Sequence, residues 1–237
     1  MKSWPSFTAL LAIALTHFSP ASAADPATRR MTPVDKWITL AGCRLEENPF
    51  NDGDSFHVTR GGKEFLFRLC YVDTPETTAH RELVDRTSDQ ARYWNIYKRD
   101  LFRLADEGAA FTREKLSRPF TVMTRWDDAR GASKMPRYFA VIRTADGEDL
   151  AEALVGAGFA RVFGFSPDLP GNQSSKSVFG KLETIEAKAK AAGAGAWGFP
   201  KGSGKNSKPA AKSTPREKAK SAPTPARTRS LADIPAY

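Results

Sequence analysis

Most of the side chains that could do chemistry in this sequence lie in two short segments. The first reads NDGDS at residues 51–55, and the second reads FRLCYVDTPET at residues 67–77. Together they concentrate four carboxylates and one guanidinium group, those of Asp52, Asp54, Asp73, Glu76 and Arg68. Gathered carboxylates repel one another and raise one another's pKa unless a cation lies among them. All-oxygen ligation selects a hard cation such as Ca²⁺ or Mg²⁺, and the planar fork of an arginine also suits a phosphate.

The NDGDS segment has features in common with two other kinds of site. An EF-hand loop that begins at Asp52 needs a Glu at its twelfth position, where this chain has Lys63. A loop that begins at Asn51 has Gly62 there, so neither register gives an EF-hand. A nucleophilic serine needs a histidine base, and the later part of the sequence has no histidine. A plain Asp-Gly turn stays open as the alternative.

The hydrophobic pattern assigns these segments to the start and the end of a hairpin. Residues 55–60 and 63–72 flank Gly61-Gly62, which predicts two antiparallel strands. The remaining predicted elements are strands over 37–45, 120–126 and 137–144, and helices over 88–116, 150–155 and 175–192, the first with Ser88 as N-cap and Gly108 as an interruption. Strands joined by hairpins, with helices grouped afterwards, indicate an α+β fold rather than a parallel sheet.

The hairpin predicts what the two segments do together. In an antiparallel pair, the start of one strand lies beside the end of the other, so we expect the acids of both segments to converge. A hard metal would neutralise a phosphate, Arg68 would hold the charge of the transition state, and a spare carboxylate would orient or deprotonate water. The sequence therefore makes phosphodiester hydrolysis plausible, while a structural Arg68 paired with a single Asp stays open.

The net charge of the chain says little about whether its partner is acidic. The chain has a formal net charge of +9, but residues 201–237 hold nine Lys or Arg against two acids and account for +7 of it. Residues 24–200 are nearly neutral, at +1. The tail of residues 201–237 is rich in Lys, Ala, Pro and Ser, so we expect it to be disordered, either as a solubilising extension or as a segment attracted to polyanions.

The first residues are typical of an export signal. Lys2 precedes an apolar stretch over 7–18 that is too short to span a bilayer, and Ala21-Ser22-Ala23 fits a cleavage site. We expect residues 1–23 to be removed and the mature protein to be secreted or periplasmic, with an uncleaved anchor as the alternative. No other segment of the sequence is long and apolar enough to cross a membrane.

The two cysteines leave their state open. Cys43 and Cys70 fall on separate predicted strands, and the sequence is compatible with either a disulfide or two buried thiols. A zinc site is excluded, because there is no CxxC spacing and only two histidines remain after processing, His57 and His80.

The two chemical segments resemble the signature segments of the staphylococcal nuclease, or thermonuclease, family. The resemblance extends to RYFAVI at 137–142, to ADGEDLAEALVGAGFARV at 145–162 and to Trp197, and it covers roughly residues 36–199. It implies a five-stranded OB-like β-barrel with packed α-helices over a domain of residues 24–200. It also implies a calcium-dependent enzyme that cuts DNA and RNA with little sequence preference. We expect a monomer.

The resemblance also implies a role for each site residue. Asp54 and Asp73 would bind Ca²⁺ through their side chains and Thr74 through its backbone carbonyl, whereas Asp52 would act through an intervening water. Glu76 would be the general base or the group that orients water. Arg68 and Arg137 would be the arginine pair on the phosphate.

Three departures from the family pattern bear on these roles. The chain reads KMPR at 134–137 where the family usually has Lys-Tyr-Gly-Arg, so Arg130 is the alternative to Arg137. Phe163 and Phe165 stand where compact members place two tyrosines, so base stacking is expected without phenolic hydrogen bonds. The segment 82–106 is longer than in compact members, and it would be a helix at the cleft or a packing element. A catalytically inactive OB-fold module that binds nucleic acid or protein is the alternative function.

Overall fold

The structure, a computed structural model, describes residues 31, 33–76, 84–131 and 133–201, without the side chain of residue 84. The predicted signal peptide over 1–23 and the predicted tail beyond residue 201 lie outside these residues. The elements in the described ranges are β1 (Ile38–Leu45), β2 (Ser55–Arg60), β3 (Lys63–Leu69), β4 (Val72–Asp73), α1 (Val84–Trp94), α2 (Lys98–Lys115), β5 (Phe120–Asp128), β6 (Arg137–Arg143), α3 (Leu150–Gly156), β7 (Arg161–Val162), α4 (Ser175–Ala192) and a 3₁₀ helix (Gly195–Gly198). Within this part of the chain, no helix has the length and apolar character needed to cross a membrane.

Five strands form a closed barrel in the order β1-β2-β3-β6-β5, and β1 also pairs with β5. Neighbouring strands are antiparallel except β3 and β6, which run parallel. The hairpin turn between β2 and β3 is Gly61-Gly62, with φ values of +57° and +73°, the backbone region that glycine enters without strain. The predicted α+β fold, a five-stranded OB-like barrel with packed helices, is confirmed.

Strand β3 ends earlier than predicted. The sequence pattern predicted one strand over 63–72, but the chain leaves the barrel after Leu69 and turns at Tyr71, whose φ is +69°. Tyr71 donates its N–H to the Phe165 carbonyl over 2.9 Å, and its own carbonyl accepts the Phe163 N–H over 2.8 Å. The next two residues form β4, which pairs with β7 and sets Asp73 opposite Arg161. The apolar sequence pattern cannot reveal that the chain changes its pairing from the barrel to β7, because the residues before and after the turn are both buried strand residues.

The predicted helix over 88–116 is two helices. Helix α1 begins at Val84, so Ser88 lies inside it and is not an N-cap. Asn95 has a left-handed φ of +56° and ends the helical path before α2 starts at Lys98. The expected interruption at Gly108 is also wrong, because that glycine lies within α2, where an added Cβ would make an ordinary contact with Phe159 Cβ at 3.5 Å.

A second apolar cluster attaches the described part of the longer segment, residues 84–106, to the domain. Trp94 of α1, Leu101 and Leu104 of α2, and Trp197 of the 3₁₀ helix are all buried in it. These residues lie outside the barrel core, which is built on residues such as Phe56, Phe67 and Phe120. The segment therefore packs as a structural element, and it also carries α1 to the edge of the barrel.

Replacing Leu101 by Ala is expected to lower the free energy of unfolding by about 2–5 kcal/mol, because the side chain is fully buried and leaves a cavity. Urea unfolding of the purified protein measures the change. Asp106→Ala on the exposed side of the same helix is the control and is expected to change stability by less than about 0.5 kcal/mol. Equal losses in both variants would contradict the structural role of this cluster.

The two cysteines are free, buried thiols in the structure. Cys43 Sγ donates to the Leu40 carbonyl over 3.3 Å. Burial raises the pKa of both thiols, because the charged thiolate is disfavoured away from water. Both side chains are therefore packing residues here, which is one of the two alternatives that the sequence left open.

Candidate active site

The β2–β3 hairpin brings the NDGDS segment against Arg68. Ser55 lies opposite Arg68 in the hairpin register, and the Leu69 N–H donates to the Asp54 carbonyl over 2.8 Å. The Asp54 side chain is 1% exposed, and its Oδ2 accepts Arg68 Nη2 over 3.1 Å. The same Oδ2 accepts the backbone N–H of Thr74 over 2.8 Å. Asp54 therefore links the first segment to both ends of the second.

The Asp73 carboxylate accepts four side-chain donors. Its Oδ1 accepts Arg68 Nη2 over 2.9 Å and also a guanidinium N–H of Arg86. Its Oδ2 accepts Gln90 Nε2 over 2.9 Å and Arg161 Nε over 2.8 Å. Burial by itself would raise the pKa of Asp73, but the three surrounding guanidinium groups hold that pKa below its ordinary value. Asp73 is thus an ionised carboxylate surrounded by positive charge.

Arg68 and Arg137 approach each other at the mouth of the site. The Nη1 atoms of both residues lie 3.4 Å from the Ser55 hydroxyl oxygen. Arg68 Nη2 contacts the buried acids Asp54 and Asp73, whereas Arg137 Nε donates to the Arg130 carbonyl over 2.9 Å. Burial, and then repulsion from Arg68, lowers the pKa of Arg137. Two guanidinium groups held this close form a strong binding position for an anion.

The structure brings Arg137, and not the side chain of Arg130, to this place. Arg130 contributes its backbone carbonyl and has an exposed side chain. Gly131 leaves room for the Arg137 guanidinium, since a Cβ at Gly131 would lie 2.6 Å from Arg137 Nη2. Arg137 is the first residue of β6, and its parallel pairing with Leu66 of β3 fixes the position of its backbone.

Glu76 and Asp52 lie at the edge of the cluster. Glu76 Oε1 is 2.6 Å from Arg86 Nη1, and its side chain is 14% exposed. Burial raises the pKa of Glu76 in spite of the Arg86 charge.

Asp52 Oδ1 accepts the backbone N–H of Asp54 over 2.9 Å, so it shapes the turn. Burial and the charges of Asp54 and Glu76 raise the pKa of Asp52 well above its ordinary value.

The Thr74 backbone is held from two sides. Its N–H donates to Asp54, and its carbonyl accepts Gln90 Nε2 over 2.8 Å. Its hydroxyl oxygen is buried and has no hydrogen-bond partner among the residues that the structure describes. The carbonyl that the resemblance assigns to calcium is therefore engaged by a helix α1 side chain.

The donor set has the chemistry of a hard-cation site. Asp54 Oδ2 and Asp73 Oδ1 both contact the single nitrogen Nη2 of Arg68, at 3.1 and 2.9 Å, so two carboxylates converge on one positive point. Within the described ranges, no group of three or more His, Cys, Asp or Glu side chains is arranged to hold a metal ion. The oxygens near Thr74 are of the type that a hard cation prefers, while guanidinium groups neutralise the carboxylates in this arrangement.

An open cleft of about 320 Å³ adjoins the cluster. Its lining includes Arg68, Asp73, Arg86, Arg137, Phe139, Phe163 and Phe165. Phe163 is 55% exposed and lies under the Arg161 guanidinium, whose carbon is 4.5 Å from the ring centroid. Phe165 stacks on Phe139 with a centroid distance of 4.4 Å. The cleft therefore combines guanidinium groups with one exposed and one supported aromatic face.

Three residues of the cluster were not predicted from the sequence, namely Arg86, Gln90 and Arg161. Arg86 and Gln90 are four residues apart and lie on one face of α1, so their spacing was a usable signal. The prediction missed it because it began the helix at Ser88. Arg161 lies within the FARV stretch that supported the resemblance, but only the β4–β7 pairing shows that it reaches Asp73.

Replacing Gly53 by Ala is expected to destabilise the fold by about 1–3 kcal/mol and to reduce activity, because two acid-bearing segments cross at this glycine. A Cβ on Gly53 would lie 2.8 Å from Thr74 Cγ2, and the Gly53 carbonyl is fixed by Thr112 Oγ1 over 2.8 Å. Urea unfolding measures the loss. Gly180→Ala in α4, where a Cβ would meet no atom within 4 Å, is the control and is expected to be neutral or stabilising. A Gly53→Ala variant as stable as the wild type would contradict the close crossing.

A comparison with known protein families agrees with this geometry. The family model for staphylococcal nuclease homologues matches residues 66–198, which is more than half of the chain. The match includes Arg68, Asp73, Glu76 and Arg137, while the NDGDS segment precedes it. It supports a nuclease-type hydrolase that acts on nucleic acid. The chain belongs to the staphylococcal nuclease homologue family.

Proposed function

We propose that this protein is a calcium-dependent endonuclease that hydrolyses phosphodiester bonds of DNA and RNA with little sequence preference. The observation that carries the proposal is the convergence of Asp54 and Asp73 on Arg68, with Arg137 beside it and an open cleft in front. Family membership supports the nuclease class, and the calcium dependence and the residue roles are the proposal itself.

The acids supply the metal site in this proposal. Asp54, Asp73 and the Thr74 carbonyl would hold Ca²⁺, and Asp52 would contribute through an intervening water. When bound, calcium would supply positive charge that neutralises the scissile phosphate. All these ligands are oxygen atoms, as a hard cation requires.

Glu76 is the proposed base. A general base is most effective when its pKa is close to the working pH, and the burial of Glu76 raises its pKa in that direction. In this role, Glu76 takes the proton of the attacking water or holds that water in line with the phosphate. Its side chain is 14% exposed and pairs with Arg86, which lines the cleft.

Arg68 and Arg137 are the proposed phosphate clamp. Each guanidinium can donate two parallel hydrogen bonds to phosphate oxygens, and charge on those oxygens grows as water attacks. Their Nη1 atoms meet at the same hydroxyl, Ser55 Oγ, so one phosphate could contact both.

The lining of the cleft supports recognition of the nucleic-acid backbone and of the faces of the bases. Phe163 offers an exposed ring, and stacking on an aromatic ring is possible for every base. Phe165 is packed on Phe139 and would support that surface rather than hydrogen-bond to a base. We therefore expect little discrimination between sequences and cleavage of unpaired strands in particular.

The site of action is part of the proposal. Removal of residues 1–23 would give a secreted or periplasmic protein, and we expect it to act as a monomer. The basic tail over 201–237 would add non-specific attraction to polyanions or keep the protein soluble. Deleting the tail is expected to leave turnover of short substrates unchanged.

An inactive binding module is the second candidate, and one observation favours it. Both oxygens of Asp73 and the Thr74 carbonyl are already engaged by protein donors, as in a purely structural ion-pair cluster. Such a module would bind nucleic acid or protein through the same cleft without hydrolysis.

The proposed function is tested with the purified mature protein and two substrates, single-stranded DNA and RNA. We expect both to be cut with Ca²⁺ and left intact when a chelator is added. Cleavage that continues in excess chelator would contradict the metal, and intact substrates under all conditions would contradict the enzyme.

A further inference from the structure

Helix α1 places two side chains, those of Arg86 and Gln90, against the edge of the candidate site that is formed by Asp73, Thr74 and Glu76. Gln90 is fully buried and donates to both Asp73 and the Thr74 carbonyl. Arg86, one helical turn earlier, donates to Asp73 Oδ1 through Nη2 and lies 2.6 Å from Glu76 Oε1 through Nη1. One guanidinium therefore bridges the carboxylate proposed as a metal ligand and the carboxylate proposed as the base.

The Asp73 carboxylate has no acceptor position left for a further ligand. Each oxygen of a carboxylate offers about two lone-pair positions, and each oxygen of Asp73 already accepts two donors. A cation that binds Asp73 must therefore displace one of these donors. The cation would also be repelled by the positively charged guanidinium groups around Asp73. Withdrawal of one of these groups relieves part of that repulsion.

Arg86 is the donor that can withdraw at least cost. Its side chain is 31% exposed, against 12% for Arg68 and 9% for Arg161. Arg68 also pairs with Asp54, and Arg161 is buried and stacks on Phe163. Arg86 faces the open cleft, so its guanidinium can be rehydrated when it leaves Asp73.

We propose that Arg86 is a built-in counter-cation of the Asp73–Glu76 pair, and that a divalent cation at this edge and the Arg86 bridge exclude each other. While no metal is bound, the positive charge of Arg86 compensates the negative charges of Asp73 and Glu76. Its withdrawal releases Glu76 and opens one acceptor position on Asp73 Oδ1, because the same guanidinium contacts both carboxylates. The inference rests on the proposed metal-dependent function, and it assigns Arg86 as a positioning residue that acts through these two acids.

Calcium binding without nucleic acid tests the inference directly. Titration calorimetry of the mature protein would compare the wild type with Arg86→Gln, which is expected to bind Ca²⁺ about tenfold more tightly because the competing charge is gone. Arg92→Gln removes the same charge from an exposed position of the same helix, where Arg92 pairs with Asp89. This control is expected to stay within about twofold of the wild type, because exposed charges are screened.

Thermal unfolding supplies a second readout. In chelator, Arg86→Gln is expected to have a lower Tm than the wild type, because Asp73 and Glu76 lose a partner. Added Ca²⁺ should then raise the Tm of the variant more than that of the wild type, since a ligand that binds only the folded state stabilises that state more as its affinity rises. If Arg86→Gln does not fold, Arg86→Met replaces it, because methionine keeps an aliphatic side chain without the charge, and this variant should also bind Ca²⁺ more tightly than the wild type.

The outcomes separate this inference from the function on which it rests. Tighter binding in Arg86→Gln than in Arg92→Gln supports it, as does binding that appears only in Arg86→Gln. Equal or weaker binding in Arg86→Gln overturns it, and the proposed function stands if the wild type still binds and uses Ca²⁺. If neither protein binds Ca²⁺, the exclusion and the proposed metal are both overturned.

Discussion

Replacing Glu76 by Gln is expected to lower kcat for single-stranded DNA by about 10²–10⁴-fold, because the amide cannot accept the proton of the attacking water. The fold should survive, since Glu76 is at the edge of the cluster and its partner Arg86 keeps the contact with Asp73. Initial rates on a labelled oligonucleotide at saturating Ca²⁺ measure the effect, and thermal unfolding checks that the variant is intact.

The control for this variant is Glu47→Gln, which removes one exposed carboxylate outside the two chemical segments. Its kcat should stay within about twofold of the wild type, as is usual for surface positions. A Glu76→Gln enzyme that cuts as fast as Glu47→Gln would remove Glu76 from the mechanism. An equal loss in both would mean that net charge, and not a positioned base, controls the rate.

Replacing Arg137 by Lys is expected to lower kcat by about 10²–10³-fold, although the positive charge is kept. A lysine cannot donate two parallel hydrogen bonds to a phosphate, and it cannot reproduce the bond from Nε to the Arg130 carbonyl that orients the guanidinium. Because this interaction strengthens in the transition state, KM should change less than kcat.

Arg130→Lys is the matched control, since Arg130 was the alternative for the second arginine and lies seven residues earlier. Its exposed side chain is expected to contribute little, and its kcat should remain within about twofold of the wild type. A large loss in Arg130→Lys together with an active Arg137→Lys would reverse the assignment and would require the loop before β6 to rearrange.

The convergence of the acids could be predicted because it depends on local rules. Gly61-Gly62 and alternating apolar residues define a hairpin, and the antiparallel register then places Ser55 opposite Arg68. Asp54 is one residue before Ser55, so the register places its backbone near Arg68, and the Leu69 N–H donates to the Asp54 carbonyl there. The five-stranded barrel came from the resemblance, since no periodicity in the sequence predicts the parallel pairing of β3 with β6.

The parts that could not be predicted depend on contacts between distant segments. The left-handed turn at Tyr71 is held by Phe163 and Phe165, about ninety residues later, and beyond it Asp73 lies in β4, outside the barrel sheet. The pairing of Asp73 with Arg161 follows from that turn. The left-handed Asn95 likewise ends α1 within a continuous apolar stripe.

The same limit explains why the environment of Asp73 was underestimated. The sequence predicted acids with one arginine among them, whereas three guanidinium groups and Gln90 surround Asp73. Two of these four donors come from α1, whose start was misplaced by four residues. The site is therefore more nearly charge-compensated than its two signature segments alone suggest, and Arg86 becomes the residue to test.

The central claim is that this cluster hydrolyses nucleic acid and does not merely bind it. One sample can measure both properties, with a single-stranded DNA oligonucleotide that carries a fluorophore, mixed with the mature protein. Fluorescence anisotropy would report binding, and a denaturing gel of the same sample would report chain length. We predict that added Ca²⁺ yields shortened products and a falling anisotropy, and that excess chelator leaves the oligonucleotide at full length. A stable rise in anisotropy with a full-length oligonucleotide in Ca²⁺ would contradict the enzyme and favour the binding module.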